Sequence, residues 1–344
     1  AIQGFAASGL PCRGTIYRMS DQENEDWAFP AAMQPDSDEL SFDLDAVLDA
    51  VVTVRAEIPE DAFTADTLGT DRIGNGVLIR DSGIVLTIGY LITEATSIWL
   101  TTNDGVVVQA YPLAYDQVTG FGLVRALNPL GISPLSLGDS DNLTPGDELI
   151  IVGQGGRSHA SKTRLIAIRE FAGYWEYLLD EALFTSPAHP RWGGAALLNH
   201  AGELVGIGSL LVQEAMEGDS TQGNMIVPID LLKPILDELI TSGAVSTPPR
   251  PWLGLFAHES ESQLEVAGLV GGGPSATANV RRGDVLLKVG DQRVETLAGF
   301  LRAVWKLGPA GTKIPLMISR EGDVLRVEVE SANRNLLLKG PSLH

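Results

Sequence analysis

From Phe42 onward the chain is built of short apolar runs separated by turn residues, a pattern that predicts strands more than helices. Asp45-Ala-Val-Leu-Asp-Ala-Val-Val-Thr-Val-Arg55 reads as a helical turn running into a strand. Gly76–Arg80 and Ile84–Thr87 flank Asp81-Ser-Gly83, and Ile98–Thr102 and Val106–Val108 flank Asn103-Asp-Gly105. Asp-Gly between apolar runs favours a hairpin because both residues tolerate positive φ. Phe121–Arg125, Glu148–Val152 and Leu204–Ile207 continue the series, and short strands at this spacing predict a barrel or sandwich. The period then changes: Leu231, Leu232, Ile235, Leu236, Leu239 and Ile240 fall on one helical face, with Asp230 as the predicted cap, Pro234 in the first turn and Gly243 as the stop.

The remainder predicts a small α+β unit. Its strands are expected at 253–256, 264–269, 285–289, 314–319 and 324–329. Its clearest helix has Thr296 as cap, Leu297, Phe300, Leu301, Val304 and Leu307 on one face, and Gly308 at its end. The expected organisation is an acidic, loosely structured arm over 1–42, a β-barrel domain over 43–243, a Pro-containing linker over 244–250, the α+β unit over 251–332 and a loose tail over 333–344. The fold class is mainly β.

Composition narrows the function. The chain has 344 residues with 24 basic and 44 acidic side chains, a net charge of -20. That balance argues against nucleic acid, which needs clustered Lys and Arg. Cys12 is the single cysteine, so neither an intrachain disulfide nor a thiolate metal cluster is available. No His pair has metal-ligand spacing, so no metal and no cofactor are expected; Gly271-Gly-Gly273 lacks the Lys and spacing of a phosphate loop. No apolar run reaches the roughly 18–20 residues of a transmembrane helix.

Several stretches in order resemble the HtrA (high-temperature-requirement) proteases, in which a chymotrypsin-like double β-barrel precedes a PDZ domain. They are Gly74-Asn-Gly-Val-Leu-Ile79, Val85-Leu-Thr-Ile-Gly-Tyr-Leu-Ile92, Tyr115-Asp-Gln-Val-Thr-Gly-Phe-Gly-Leu-Val124, Leu137-Gly-Asp-Ser-Asp141, Pro145-Gly-Asp147, Gly193-Gly-Ala-Ala-Leu-Leu-Asn199 with Gly202–Ile207, and Asn224–Ile229. The resemblance covers about 45–330. It implies a trypsin-like double barrel followed by a PDZ-like domain, a location in the periplasm or otherwise outside the cytoplasm, a role in protein quality control, and a homo-oligomer, a trimer in many relatives.

The resemblance also locates what is missing. Tyr90 stands where the family has its catalytic His, Gly120 where it has Asp, and Gly193 where it has the nucleophilic Ser, or Gly194 if the register shifts by one. A triad needs a hydroxyl to attack, an imidazole to take its proton and a carboxylate to orient the imidazole. Glycine supplies none of these, and a phenol titrating near 10 is a poor base at neutral pH. Backbone N–H donors near Gly193 are expected to remain as an oxyanion hole. Tyr90 and Trp192 have two open roles: packing that fills the vacated pocket, or a sticky surface that holds peptide without cutting it. The expected function is thus a catalytically inactive pseudoprotease that binds peptides or proteins as a scaffold or chaperone-like factor. The alternative is a divergent serine endopeptidase with a relocated site, for which Ser186, His189, His159 and His200 are the available side chains.

Pro251-Trp-Leu-Gly-Leu255 resembles the carboxylate-binding loop and adjoining strand of such PDZ domains, and Arg281-Arg-Gly-Asp-Val-Leu-Leu287 resembles a later turn and strand. The resemblance implies that Trp252, Leu253, Gly254 and Leu255 cradle a peptide C-terminus by backbone N–H groups, while Leu297, Phe300 and Leu301 form the helix side of the groove. The same apolar stripe also serves as core. Implied partners are protein or peptide C-termini and unfolded segments.

Overall fold

A computed structural model describes residues 14–15, 27–213, 215, 221–260 and 263–340. Cys12 and the acidic residues Asp21, Glu23, Glu25 and Asp26 lie outside the described residues. The described residues divide into two compact units, one drawn from 14–169, 181–246 and 338–340, the other from 170–180 and 247–337.

The first unit holds two barrels. Ahead of them lie β1 (Gly14–Thr15) and α1 (Leu44–Asp49), the latter capped by the Asp43 carboxylate, which accepts the N–H groups of Asp45 and Ala46. Strands β2 (Val51–Glu57), β3 (Asp71–Arg80), β4 (Ile84–Ile88), β5 (Ser97–Thr101), β6 (Val107–Tyr115) and β7 (Phe121–Ala126) close in the order β2-β3-β4-β7-β6-β5, with β5 returning to β2. The short α2 (Ala65–Leu68) sits between β2 and β3. In β5, Ile98 and Leu100 are buried while Ser97, Trp99 and Thr101 are half-buried, the period-2 signature of a barrel wall. The Asp-Ser-Gly and Asn-Asp-Gly turns fall where expected, with φ of +78° at Gly83 and +89° at Gly105.

The second barrel contains β8 (Glu148–Val152), β9 (Ala160–Gly173), β10 (Tyr177–Ser186), β11 (Ala196–Leu198), β12 (Leu204–Val212) and β13 (Gly223–Pro228), ordered β12-β11-β8-β9-β10-β13 and closed by β13 on β12. Strand β1 adds to β12. The closing helix α3 (Leu236–Ser242) is shorter than its apolar stripe predicts. Asp230 does not cap it. Its carboxylate instead accepts the Ser140 N–H and hydroxyl and the Asp141 N–H. Burial pulls its pKa upward, but Lys233 and these donors outweigh burial and hold it down to about 2. Gly243 ends the helix in the left-handed region, at φ +73°.

Several described residues near the two chain ends make specific contacts within the first unit. The Phe29 N–H donates to Ser158 O, Lys162 pairs with Glu39, and Arg157 pairs with Asp45. Near the other end, the Lys339 N–H donates to Glu94 and its ammonium pairs with Asp61.

The second unit is an α+β sheet. Its elements are β14 (Leu255–Ser260), β15 (Gln263–Leu269), α4 (Pro274–Thr277), β16 (Val285–Val289), β17 (Gln292–Arg293), α5 (Leu297–Lys306), β18 (Lys313–Arg320) and β19 (Asp323–Glu330). The sheet order is β14-β15-β16-β18-β19, with β17 on β16, so β14 is an edge strand among the described residues. Thr296 caps α5 by accepting the Gly299 N–H, and Leu297, Phe300, Leu301 and Val304 are its buried stripe, as the spacing predicts. These side chains join Leu253, Leu255, Val266, Leu286 and Leu316 in one apolar cluster.

Candidate functional site

Tyr90 lies in a helical turn just after β4, Gly120 just before β7, and Gly193 in the loop leading to β11. The first two positions are adjacent: the Gly89 N–H donates to Gly120 O at 2.7 Å. Gly193 is tied in through β3. Its carbonyl accepts both the backbone N–H of Asn75 (2.8 Å) and the Asn75 amide (3.0 Å), which also donates to Arg191 O. Gly74 must be glycine here, since a Cβ would lie 2.8 Å from Gly193 O and 2.4 Å from a Leu91 methyl. The three positions are therefore tied together through β3 and the turn after β4.

Sterics bear on the register of the nucleophile loop. Gly194 has φ +76°, and a Cβ there would lie 1.9 Å from Asn75 O and 2.7 Å from the Thr87 hydroxyl. A side chain at Gly194 would clash, which supports Gly193 as the proposed nucleophile position.

The remaining groups in the cleft are turned on one another. The half-buried Tyr90 hydroxyl donates to Ser209 O at 2.9 Å. Desolvation raises its pKa, only partly offset by a hydrogen bond from Trp192, so even less of it is phenolate at neutral pH than of a free phenol. Buried Arg72 donates to the carbonyls of Tyr90 (2.7 Å) and Thr93 (3.1 Å), fixing the turn. In triad enzymes the oxyanion hole is formed by the N–H groups of the nucleophile and of the residue two positions upstream. Here the upstream donor, Arg191 N–H, goes to His189 Nδ1 at 3.1 Å. The expected oxyanion hole therefore lacks one of its two donors, because a local hydrogen bond takes it.

A relocated relay is not assembled either. The Ser186 hydroxyl bonds Gln222 O. His189 is fully buried, Nε2 donates to His159 O, Nδ1 accepts from Arg191, and desolvation holds its pKa down to about 4. His159 Nδ1 lies 3.1 Å from the Ser158 hydroxyl and 3.0 Å from Gly155 O. A carbonyl only accepts, so Nδ1 carries its proton and cannot take one from Ser158. His200 contributes its backbone carbonyl to Ser41. Among the described residues no group of three or more His, Cys, Asp or Glu is placed to hold a metal.

The second unit gathers the residues predicted to bind a carboxylate. Trp252 is fixed by reciprocal backbone bonds with Ala332. Gly254 turns at φ +68°, and the N–H groups of Leu253, Gly254 and Leu255 converge on one carboxylate, that of Glu176. The distances are 3.0 and 3.2 Å from Leu253, 2.8 Å from Gly254 and 3.3 Å from Leu255. Glu176 lies at the tip between β9 and β10 and is itself buried. Desolvation pushes its pKa up to about 7, against the opposing pull of the three N–H groups and of Arg334. Leu297, Phe300 and Leu301 lie in the same apolar cluster as Leu253 and Leu255, and Leu178 of β10 joins it. Glu176 is not among the residues that the sequence pattern singles out. The available signal is the pair of apolar runs flanking Gly173-Tyr-Trp-Glu176.

Two closed six-stranded barrels, and a sheet whose edge strand follows a carboxylate-holding loop, define a trypsin-like domain joined to a PDZ domain. Residues 74–207 match the trypsin-like peptidase domain family and residues 251–330 match the PDZ domain family. The chain is 28% identical over 317 residues to the periplasmic pH-dependent serine endoprotease DegQ of Escherichia coli (strain K12), covering 83% of this chain and 68% of that protein. It is 25% identical over 273 residues to the periplasmic serine endoprotease DegP of the same strain, covering 75% of this chain and 56% of the relative. The chain thus spans little more than half of DegP. The HtrA-type protease AlgW with a decapeptide superposes with a TM-score of 0.52 at 20% identity, covering 87% of this chain and 99% of that one, a likeness of fold. The domain arrangement is that of the HtrA-type proteases.

Proposed function

We propose that this chain is a catalytically inactive HtrA-like pseudoprotease that works as a peptide- or protein-binding scaffold, or chaperone-like factor, outside the cytoplasm. The observation that carries the reading is Gly193: the nucleophile position has no side chain, and Tyr90 and Gly120 supply neither base nor orienting carboxylate. Donors and binding alone leave about 10³–10⁴-fold acceleration over water, too little for peptide hydrolysis on a cellular timescale. The periplasmic relatives support the location.

Binding is assigned to the PDZ unit. Trp252, Leu253, Gly254 and Leu255 present the carboxylate loop, β14 is an edge strand for an added peptide, and Leu297, Phe300 and Leu301 form the apolar side. That the loop already holds a carboxylate supports this assignment. The protein is expected to leave denatured casein intact and to take no fluorophosphonate label. It is expected to bind a peptide with a hydrophobic, free C-terminus weakly, and Leu255→Asp is expected to abolish that binding. A labelled serine found by mass spectrometry would sink the pseudoprotease reading, and no peptide binding at millimolar concentration would sink the groove.

A further inference from the structure

The carboxylate loop of the PDZ unit is filled by the chain itself. Glu176 reaches the three N–H groups of Leu253, Gly254 and Leu255 through the end of a side chain. Two residues on, Leu178 is 7% exposed and belongs to the apolar cluster of Leu255, Phe300 and Leu301. A carboxylate on the loop and an apolar side chain among those residues are the two features that a peptide C-terminus would bring to this site.

The tip is held as a ligand would be. Arg302 of α5 pairs with Glu170 and Asp180, one on each arm of the hairpin. The Tyr174 ring meets Phe256 of β14 edge-on with centroids 6.0 Å apart, and Arg334 donates to Trp175 O at 3.3 Å. Trp175 stacks on Tyr177 and meets Tyr174 edge-on, so the tip packs on itself as well as on the loop. Glu176 has φ +63°, a left-handed conformation that a non-glycine residue keeps only where its surroundings hold it. A buried acid held by backbone N–H groups is a costly way to fasten a hairpin and a suitable way to occupy an anion site.

We propose that the tip between β9 and β10 is an internal ligand of the PDZ groove, Glu176 standing in for an α-carboxylate and Leu178 for a terminal apolar side chain. The groove is then closed at rest, and a peptide with a free C-terminus enters by displacing the tip. This rests on the proposed groove, which the test below separates from it. If only a fraction of molecules is open, the apparent Kd of a peptide is its intrinsic value divided by that fraction.

The test uses the full chain and a fluorescein-labelled decapeptide ending in Leu-Leu-Phe with a free carboxylate. Two readouts are taken: probe affinity, and hydrogen exchange at the N–H groups of residues 253–255. Glu176→Ala is expected to speed exchange there and to lower the probe's Kd by about tenfold or more. Glu176→Gln keeps an acceptor in the loop and is expected to remain closed. Glu176→Gly suits the left-handed backbone and repeats the alanine result if that variant folds poorly. Unchanged exchange in both Glu176→Ala and Glu176→Gly, or equal probe affinity for wild type and these variants, overturns the proposal. Faster exchange with no probe binding to any variant supports the internal ligand and removes the peptide reading.

Discussion

Putting back the three missing side chains, Tyr90→His, Gly120→Asp and Gly193→Ser, is expected not to restore proteolysis at a family-like rate. Each replacement meets a structural obstacle. Tyr90→His forfeits the bond from the Tyr90 hydroxyl to Ser209 O, about 1 kcal/mol. Gly120 has φ +85°, where an aspartate costs about 1–2 kcal/mol, so the new carboxylate arrives on strained backbone. The largest obstacle lies outside the triad. The oxyanion donor two residues before the restored nucleophile is Arg191 N–H, already committed to His189 Nδ1. Losing one such donor costs about 2.7–4 kcal/mol, or about 10²–10³ in kcat. The triple variant should therefore cleave fluorescein-casein at least about 10²-fold more slowly than Escherichia coli DegQ on the same substrate. Turnover within about tenfold of DegQ would show that the loop rearranges freely and that the reasoning from its hydrogen bonds is wrong.

The nucleophile loop gives a second prediction: Gly194→Ser should cost more than about 3 kcal/mol in urea unfolding, and a loss below about 1 would refute the steric argument. His189 is neutral in the folded state with a pKa near 4, below its ordinary 6.5, so its contribution is present above 6.5 and is lost as pH falls through about 4. Stability should drop by about 3 kcal/mol over that window, and His189→Gln should flatten the profile; an unchanged profile would count against the assignment. Glu176 has the opposite sign: its seated pKa near 7 lies above the ordinary carboxylate range, so seating takes up a proton and weakens as pH rises through about 7. Exchange at residues 253–255, corrected for intrinsic rate, should quicken from pH 5.5 to about 8 in wild type and stay level in Glu176→Gln.

Local patterning carried much of the fold. The Asp-Ser-Gly and Asn-Asp-Gly turns, the Thr296-capped helix and the stop at Gly243 depend on a few neighbouring residues, and all four recur in the structure. Asp230 departs from its predicted role as a cap because its carboxylate serves Ser140 and Asp141, some 90 residues away, and no local rule foresees that. The run proposed as a carboxylate loop stands out locally because its signal is one short stretch ending in Gly254-Leu255. Its contact with Glu176 does not, because Glu176 is 77 residues from Leu253 in the chain and only tertiary pairing joins them. The incomplete oxyanion hole was also hidden: it depends on which atom Arg191 N–H meets, and sequence records only that an N–H exists.

The two sites treat their polar groups differently, and the contrast bears on which of them works. Catalytic clefts usually keep strained backbone and under-satisfied groups, at a cost in stability. In this cleft the groups are paired: Tyr90 with Ser209 O, Asn75 with Gly193 O and Arg191 O, Thr87 with Asn75 O, and Arg72 with the carbonyls of Tyr90 and Thr93. Glu94, left-handed at φ +65°, fits the same description. Burial raises its pKa, but donors from Thr64, Lys339 and Phe63 outweigh burial and leave it lowered. Glu176 is left-handed too, yet there burial outweighs its donors and pushes its pKa up to about 7. Departures from local rules concentrate where a protein needs a second state. By that criterion the pairing supports the proposed binding role of the loop at Leu253–Leu255 and the proposed loss of chemistry around Gly193.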